Sequence, residues 1–549
     1  MENTGFNIST IHIRKNADVG EKKLILFLIV INLLMTVPLG VYLNLWLDEL
    51  YSLTTSRLDL ASTIHQSIFF ELQPPLYFIL LNLWLRVNDS IIWARLLSII
   101  FIVITISITF DLSKRYIPNI SSVGMVALVA LNPFTIYAAI EARPPALGIL
   151  LSALVLLKFF DGFLTSKPKK QSRALYVIFA TCALYTQYYL GFLLVAHALT
   201  LFWLKKWNAL KSYIFGLSIV GLLLLPILFY IPSQIITHTQ NIGIDINNHI
   251  HNSSLISSLD ISTERLTYFI APPNALSSLM RKLLRVSVVL ILIVTFVKKY
   301  RKMTEIQVSI WISALVPTLL CIPLYFLVGD QLMSPRHLVV LFLPTLLLWC
   351  WVLSNFNFFF SSLNSILIFS FSFLYLFTTY FNYRSLAKPG DWKRVASYLE
   401  KTELPQQPIV VFNGSLAPLL QYYYSGINTI APIPKERYFQ DLQAYRPINE
   451  QEIRSLFSCL PTINRSNGLI FLVNDSYLEN PDLVNKDLEK ELKLKRSNIS
   501  TSDYNLINLE KFIKQNYLTL TQKDFLLTRV RLLRLKSKII SPFSSRSCR

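Results

Sequence analysis

The chain has 549 residues, of which 53% are hydrophobic and only 15% are charged, and its formal net charge is +20. Its mean hydropathy of +0.46 excludes a soluble globular protein of this length and predicts an α-helical polytopic membrane protein. The positive charge does not indicate a nucleic-acid partner, because no basic stripe interleaved with stacking aromatics accompanies a soluble fold.

Apolar runs set the predicted topology. About twenty apolar residues span a bilayer as a helix, and by length we expect about eleven transmembrane helices. The runs cover residues 24–45, 91–110, 121–139, 145–163, 174–187, 188–204, 212–231, 283–297, 306–328, 338–353 and 363–381. The first run lacks a small-residue cleavage pattern, so we expect it to remain as a helix.

Basic clusters orient these helices. With residues 1–23 in the cytoplasm, every cluster beside a membrane end lies on the cytoplasmic side, as the positive-inside rule requires. The clusters are Arg14, Lys15, Lys22 and Lys23, then Lys114 and Arg115, then Lys167, Lys169, Lys170 and Arg173, then Lys205, Lys206 and Lys211, then Lys298, Lys299, Arg301 and Lys302. The pattern predicts a multi-pass protein of the cytoplasmic (inner) membrane.

The first predicted outer loop covers residues 46–90. Its apolar segment Leu76–Leu85 follows Pro74-Pro75 and is too short to cross the bilayer. Counting it as a span would also move later basic clusters outside, so we expect an amphipathic helix in the outer interface. The loop therefore carries Asp48 and Glu49 at its root, and a second outer loop is expected over residues 232–282.

Residues 382–549 have a mixed, polar and basic composition. Pro408–Phe412 and Gly468–Val473 are typical of short buried strands, and Leu416–Tyr424 and Tyr477–Leu492 are typical of helices. An odd number of spans places this segment outside the cytoplasm. We therefore predict an extracytoplasmic α/β domain with a basic tail, Arg529 to Arg549, that either lies on anionic lipid headgroups or forms a strand followed by a disordered end.

Under this topology, unusual polar residues gather on the outer side, around a predicted cavity between 24 and 381. They are Asp48, Glu49, Gln73, Glu141, Arg143, Gln187, Tyr188, Arg336 and His337. A carboxylate can take a proton from an attacking hydroxyl or amine. Arginine is the favoured partner of phosphate because its planar fork bonds two oxygens. The set fits group transfer from a lipid-linked phosphate donor.

Each element also has a simpler interpretation. Asp48 and Glu49 could mark the water boundary, and Arg143 and Arg336 could pair with Glu141 or with headgroups. Tyr188 is also typical of an interfacial aromatic belt. His249-x-His251 lacks a third metal ligand in spacing, so no metal site is assigned.

Six motifs occur in one order over about residues 40–400. They are Trp46–Ser52 (W-L-D-E-L-Y-S), Gln73–Tyr77 (Q-P-P-L-Y), Ala139–Pro144 (A-I-E-A-R-P), Leu184–Tyr189 (L-Y-T-Q-Y-Y), Pro335–Leu338 (P-R-H-L) and Asp391–Ala396 (D-W-K-R-V-A). This order resembles the GT-C glycosyltransferases, in particular the group of dolichyl-phosphate-mannose–protein mannosyltransferases and lipid A aminoarabinose transferases.

The resemblance implies a polyprenyl-phosphate-linked monosaccharide as donor and inverting transfer outside the membrane. It implies that Asp48 is the general base or positions the acceptor, and that Glu49 supports it or contacts sugar or an ion. Arg143 and Arg336 would hold donor phosphate or a nearby carboxylate. The remaining motif positions expected to bind donor or substrate are Tyr51, Gln73, Glu141, Gln187, Tyr188 and His337.

Three departures from the family pattern bear on these roles. Gln73 stands where the family has His or Lys, Gln187 stands where it has His, and His337 replaces a common tyrosine. No cofactor follows from the motifs with certainty, and a divalent metal ion stays open. The acceptor stays open among glycan, lipid and protein.

Two other functions compete with the enzyme. A glycolipid transporter or flippase explains the helices and the polar cavity, but predicts internal repeats and charges at mid-membrane, which the sequence does not display. A non-catalytic member of an envelope-assembly complex is the second alternative. A nucleotide-sugar enzyme is disfavoured because the chain contains no Asp-x-Asp sequence.

Overall fold

The computed structural model describes residues 8–117, 122–241, 255–271, 278–328, 334–354, 363–388, 390–412, 414–433, 448–458, 460, 468–475 and 501–536. These residues form two compact units. The membrane unit comprises Met1–Tyr42, Ser52–Ile236 and Ile244–Ser385. The α/β unit comprises Leu43–Tyr51, Thr237–Gly243 and Leu386–Arg549, so it takes in the segment that carries Asp48 and Glu49.

Before the α/β strands the chain is helical. The α-helices in order are α1 Ile8–Tyr42, α2 Leu47–Ser56, α3 Leu60–Phe69, α4 Leu76–Leu85, α5 Ile91–Tyr116, α6 Ser122–Ala130, α7 Pro133–Ala139, α8 Pro145–Phe159, α9 Lys170–Leu184, α10 Gly191–Trp203, α11 Trp207–Leu228, α12 Ile231–Asn241, α13 Leu255–Tyr268, α14 Ser278–Lys299, α15 Glu305–Val328, α16 Val339–Ser354 and α17 Leu363–Tyr383. Each of the eleven predicted apolar runs is helical over most of its length.

The helices confirm a polytopic membrane protein. In the described ranges, six helices are long and apolar enough to cross a membrane, and the bent pair α6–α7 makes seven. Shorter apolar helices, including α4 and α16, fall below that length. The predicted count of eleven therefore exceeds the number that length and composition support.

Burial separates central helices from peripheral ones. In the apolar stretch of Pro145–Leu164, which comprises α8 and the π-helical turn after it, 83% of the residues are buried, and α16 is buried along nearly its whole length. By contrast, only 28% of the residues are buried in the apolar stretches of Gly20–Tyr42 in α1 and of α11, and both expose leucine and phenylalanine side chains. A helix that is apolar all round packs at the centre of a bundle, whereas exposed apolar faces suit contact with lipid tails.

The pair α6–α7 is bent by 56° at Leu131-Asn132. A break in an apolar helix frees backbone groups that need partners inside the protein. The Asn132 side chain supplies them: its Oδ1 accepts from Phe134 N at 3.0 Å, and its Nδ2 donates to Phe269 O at 2.9 Å. Tyr375 Oη donates to the same carbonyl at 3.1 Å. One buried amide thus caps α7 and joins it to the end of α13.

The α/β unit confirms the predicted small α/β domain. Its elements are α18 Trp392–Thr402, β1 Ile409–Phe412, α19 Ala417–Tyr423, β2 Ile430–Ile433, α20 Glu450–Ser458, β3 Leu469–Asp475, α21 Thr501–Asn516, β4 Tyr517–Phe525 and β5 Thr528–Leu535. The sheet order is β2-β1-β3-β5-β4, with β2, β1 and β3 parallel and the β3–β5 and β5–β4 pairs antiparallel. The predicted helix Tyr477–Leu492 lies outside the described residues.

The buried core of this sheet accounts for the burial pattern of its strands. Val410 of β1, Leu472 of β3 and Leu533 of β5 are fully buried together with Phe457 of α20 and Phe512 of α21. β1 is buried at all four positions, as expected for a central parallel strand covered on both faces. The outer strand β4 is exposed at seven of its nine positions, as expected for an edge strand.

We predict that Asn132→Ala lowers the free energy of unfolding by about 1–3 kcal/mol, because Phe134 N loses its buried acceptor, whereas the Phe269 carbonyl keeps its bond from Tyr375. Thermal unfolding of the full chain in detergent measures the loss. Asn208→Ala, at an exposed position of α11, is the matched control and should change stability little. Equal effects of the two substitutions would contradict the role of Asn132.

Candidate functional site

Arg143 lies at the centre of a buried polar cluster in the membrane unit. Its Nη1 donates to Glu71 Oε2 at 2.9 Å and to Ser52 Oγ at 2.8 Å. The two charged side chains are only 10% and 4% exposed. Thr55 Oγ1 donates to the other carboxylate oxygen of Glu71 at 3.3 Å. Arg143 therefore contacts a nearby carboxylate, and that carboxylate is bonded at both oxygens.

The local backbone geometry positions Glu71 in this cluster. Helix α3 ends at Phe69, and Leu72 then adopts the left-handed conformation with φ of 54°. That region is costly for a bulky side chain and persists where the surroundings fix it. Two backbone bonds fix it here, from Gln73 N to Ser67 O at 2.9 Å and from Leu76 N to Tyr185 O at 2.9 Å. The Q-P-P motif is thus a tight turn from Glu71 into α4.

Gln187 joins two other predicted positions. It lies in the break between α9 and α10, and its Nε2 donates to the main-chain oxygens of Arg336 at 3.0 Å and His337 at 2.7 Å. Its Oε1 is buried without a hydrogen-bond partner among the described atoms, close to Gly148. A neutral amide can donate twice to adjacent carbonyls, so Gln187 fixes the turn that carries Arg336 and His337.

Tyr188 has a structural partner as well. Its hydroxyl donates to Gln234 Oε1 at 2.9 Å, and Gln234 Nε2 donates to Ile68 O at 2.7 Å near the end of α3. Gln234 is 5% exposed. The chain of bonds connects the α9–α10 break with α12 and with α3, which leads to Glu71.

Asp48 and Glu49 occupy the first turn of α2 and differ in their surroundings. Glu49 is fully buried, and its Oε2 accepts from Lys388 Nζ at 2.7 Å. Lys388 is only 5% exposed along its side chain. Asp48 is half-buried. Adjacent residues of a helix point about 100° apart, so the two carboxylates face different environments.

The four residues before α2 are also held within the α/β unit. Lys388 N donates to Asn44 Oδ1 at 2.7 Å, and Asn44 Nδ2 donates to Leu45 O at 2.9 Å. Leu45 N donates to the Tyr423 hydroxyl at 2.6 Å. Asn44 and Leu45 are 2% and 0% exposed, so these polar groups must be bonded within the protein.

The turn after α17 carries Lys388 and the D-W-K-R-V-A motif. Gly390 has φ of 98°, and a Cβ at this position would clash with the Trp392 ring. Its N donates to Leu526 O at 2.9 Å, and its carbonyl accepts from Thr528 Oγ1 at 2.7 Å. The sheet thus fixes the turn that presents Lys388. Asp391 follows and is 3% exposed, and burial raises the pKa of its carboxyl above the ordinary 3.8.

Three residues of these clusters were not identified from the sequence. Glu71 was not singled out in the loop 46–90, although it lies two residues before the Q-P-P motif. Lys388 was not distinguished from the other basic residues after the last predicted span. Arg95 is a single arginine inside an apolar run, which is a signal for a functional or structural role. It is fully buried, and its Nη1 donates to Gly40 O at 2.7 Å near the carboxyl end of α1.

The other predicted site residues, Tyr51, Glu141 and Gln73, show less about the chemistry of the site. Tyr51 is 4% and Glu141 3% exposed, and the Glu141 carbonyl accepts from Ser98 Oγ at 2.7 Å. The Gln73 side chain is half-buried. In the described part of the chain, no three His, Cys, Asp or Glu side chains cluster to hold a metal ion. His249 and His251 lie outside the described residues.

We predict that Arg143→Met costs about 3–5 kcal/mol of stability, because Glu71 stays buried and loses its arginine partner. The double variant with Glu71→Gln should lose less than the sum of the single losses, since no unpaired charge remains. Thermal unfolding of all three variants measures this coupling. Lys114→Met is the matched control, because its pair with Glu21 is about 40% exposed on each side and is worth about 1 kcal/mol or less.

We predict opposite pH responses for two carboxylates of the α/β unit. Burial raises the pKa of Asp391, so folding stability falls as pH rises above 3.8 through the raised value. The pKa of Asp524 is lowered: partial burial would raise it, but hydrogen bonds from Arg529 and Gln522 outweigh that effect, and stability falls as pH drops below 3.8. Hydrogen exchange of α18 and of β4 against pH measures each response.

Replacing each carboxylate by its amide tests these two pH responses. Asp391→Asn should increase protection of α18 at pH 7 and remove its pH dependence, since an amide also suits the left-handed φ of 38° at this position. Asp524→Asn should weaken β4 at pH 7. Weaker protection of α18 in Asp391→Asn at pH 7 would contradict the assignment.

Solved structures that are similar to this chain include two structures of one protein. They are ArnT from Cupriavidus metallidurans in the apo state, at 11% identity and a TM-score of 0.46, and the same protein bound to undecaprenyl phosphate, at 12% and 0.42. Each match covers 95% of this chain and 98% of the other. No family model and no curated protein matches the chain.

Proposed function

We propose that the protein is a membrane glycosyltransferase that moves a monosaccharide from a polyprenyl-phosphate-linked donor to an acceptor outside the cytoplasmic membrane. The observation that carries the proposal is the carboxylate pair Asp48-Glu49 in the first turn of α2, directly after the first apolar helix. Lys388 neutralises Glu49, whereas Asp48 is half-buried. The pair therefore offers one carboxylate for proton transfer and one for structure.

Asp48 is the proposed general base. It takes the proton of the acceptor hydroxyl or amine as the acceptor atom bonds to the anomeric carbon of the donor sugar. The bond between that carbon and the phosphate oxygen breaks, and polyprenyl phosphate leaves with the electron pair. Attack from the face opposite the phosphate inverts the configuration of the sugar carbon.

Arg336 is the proposed partner of the departing phosphate. The growing negative charge needs preorganised donors, and a guanidinium presents two parallel N–H groups to phosphate oxygens. Two hydrogen bonds from Gln187 to the Arg336 and His337 carbonyls hold the turn that carries this arginine. Arg143 has a different role in this proposal, because its contact with Glu71 fixes the entry to α4.

The acceptor is a glycan, a glycolipid or a protein of the cell envelope. The chemistry assigned to Asp48 accepts hydroxyl or amine nucleophiles alike, and the donor sugar is a hexose or a pentose. Transfer on the outer side follows from the basic clusters that orient the helices.

One feature favours a second candidate, a glycolipid transporter. Discontinuous helices that meet near the middle of a bundle are frequent in transporters, and α6–α7 is bent by 56°. A transporter moves the lipid-linked sugar intact, whereas the proposed enzyme cleaves its sugar–phosphate bond. The two activities are separable in one assay.

We predict that Asp48→Asn lowers kcat/KM for sugar transfer about 10²–10⁴-fold, because the nucleophile loses its proton acceptor. The assay supplies membranes or proteoliposomes with labelled polyprenyl-phosphate sugars and follows label in the acceptor and in released polyprenyl phosphate. Asp89→Asn, an exposed carboxylate of the same outer loop, is the matched control and should keep wild-type rates.

One result would contradict the role of Asp48, and another would contradict the function itself. Equal transfer by wild type and Asp48→Asn would remove Asp48 from the chemistry. Movement of intact donor across the bilayer without cleavage, by both proteins, would favour the transporter instead.

A further inference from the structure

The segment that carries Asp48 has an unusual anchor. Between the end of α1 at Tyr42 and the start of α2 at Leu47, the backbone is not helical. Its polar groups cannot be left unpaired in a buried position. Their partners come from far along the chain: Lys388 lies 344 residues after Asn44, and Tyr423 lies 378 residues after Leu45.

The Lys388 side chain adds a charge to this anchor. Its ammonium donates to Glu49 at 2.7 Å, while its own backbone N donates to Asn44. One residue therefore holds the segment at two points, one on each side of Leu47-Asp48. Both charged groups are nearly excluded from solvent, so removal of either deprives the other of its buried ion-pair partner.

We propose that Lys388 is a positioning residue for the Asp48 segment, with Tyr423 as its second anchor, and that Glu49 serves as the attachment point. The inference rests on the proposed function and assigns the active geometry of Asp48 to contacts made by the α/β unit. Lys388 acts through Glu49 and Asn44 rather than on the substrate.

The geometry predicts a specific kinetic pattern. Lys388→Met should lower kcat about 100-fold with little change in donor KM, since a misplacement of about 1 Å costs that much in rate. Lys388→Arg keeps the charge and should retain most of kcat. The double variant Glu49→Gln/Lys388→Met should be more active than Lys388→Met alone, because no unpaired carboxylate stays buried.

A matched control separates positioning from loss of stability. Arg531 forms another buried pair of the α/β unit, with bonds of 2.8 and 2.7 Å to Glu510, and contacts none of residues 43–51 among its described bonds. Arg531→Met should lower the thermal stability of the chain without the loss of kcat per folded molecule. Tyr423→Phe removes only one hydroxyl and is the variant that tests the anchor with least risk to folding.

A second readout does not depend on activity. In a chain whose five cysteines are replaced by serine, Asp48→Cys is labelled with a membrane-impermeant maleimide. Adding Lys388→Met or Tyr423→Phe should change the labelling rate several-fold, whereas adding Arg531→Met should not. If the wild-type protein transfers no sugar, the proposed function fails, and labelling still decides whether Lys388 positions the segment.

Unchanged kcat and unchanged labelling in Lys388→Met would overturn the inference. So would additive effects of Glu49→Gln and Lys388→Met, or equal losses in Arg531→Met and Lys388→Met after correction for the folded fraction.

Discussion

The rest of the structure depends on one constraint: a backbone polar group removed from water must find its partner within the protein. At three breaks between helices in the described part of the chain, a side chain supplies that partner. Asn132 does so at the α6–α7 bend, and Gln187 does so for the turn before α16. Asn44 serves the linker before α2. All three are amides, which donate and accept without the cost of burying a charge. The breaks are thus stable interruptions of the bundle.

Charge follows a second rule, because a buried ion is tolerated only with a partner. Arg143 is paired with Glu71 and Lys388 with Glu49, and all four side chains are at most 10% exposed. Each pair connects α2 to a distant part of the sequence: Ser52 in the middle of the helix bonds Arg143, and Glu49 in its first turn bonds Lys388. A helix of ten residues is marginal by itself. Its conformation therefore depends on tertiary contacts.

The sequence predicted the helices well because a long apolar run near lipid has few alternatives to a helix. The strands β1 and β3 were also predicted, since short buried β-branched runs have a clear pattern. The number of spans was predicted less well, because runs such as the one that forms α16 are as apolar as spans but shorter. The partners of the buried charged residues could not be predicted from the sequence. The Glu71–Arg143 and Glu49–Lys388 pairs join positions 72 and 339 residues apart, and local sequence pattern contains no information on contacts at such separations. The motif order found Arg143 and Glu49, but not what they contact.

The contact between Glu49 and Lys388 also has a consequence for biosynthesis. A chain emerging from the ribosome inserts its first helices long before residue 388 is made, and the 339 residues between the partners must be synthesised first. Until then, Glu49 lacks the Lys388 ammonium and Leu45 lacks the Tyr423 hydroxyl. The segment that enters α2 is consequently among the last parts of the molecule to mature. A chain that stops before Lys388 would contain all the candidate spans of the described residues and still lack these two contacts.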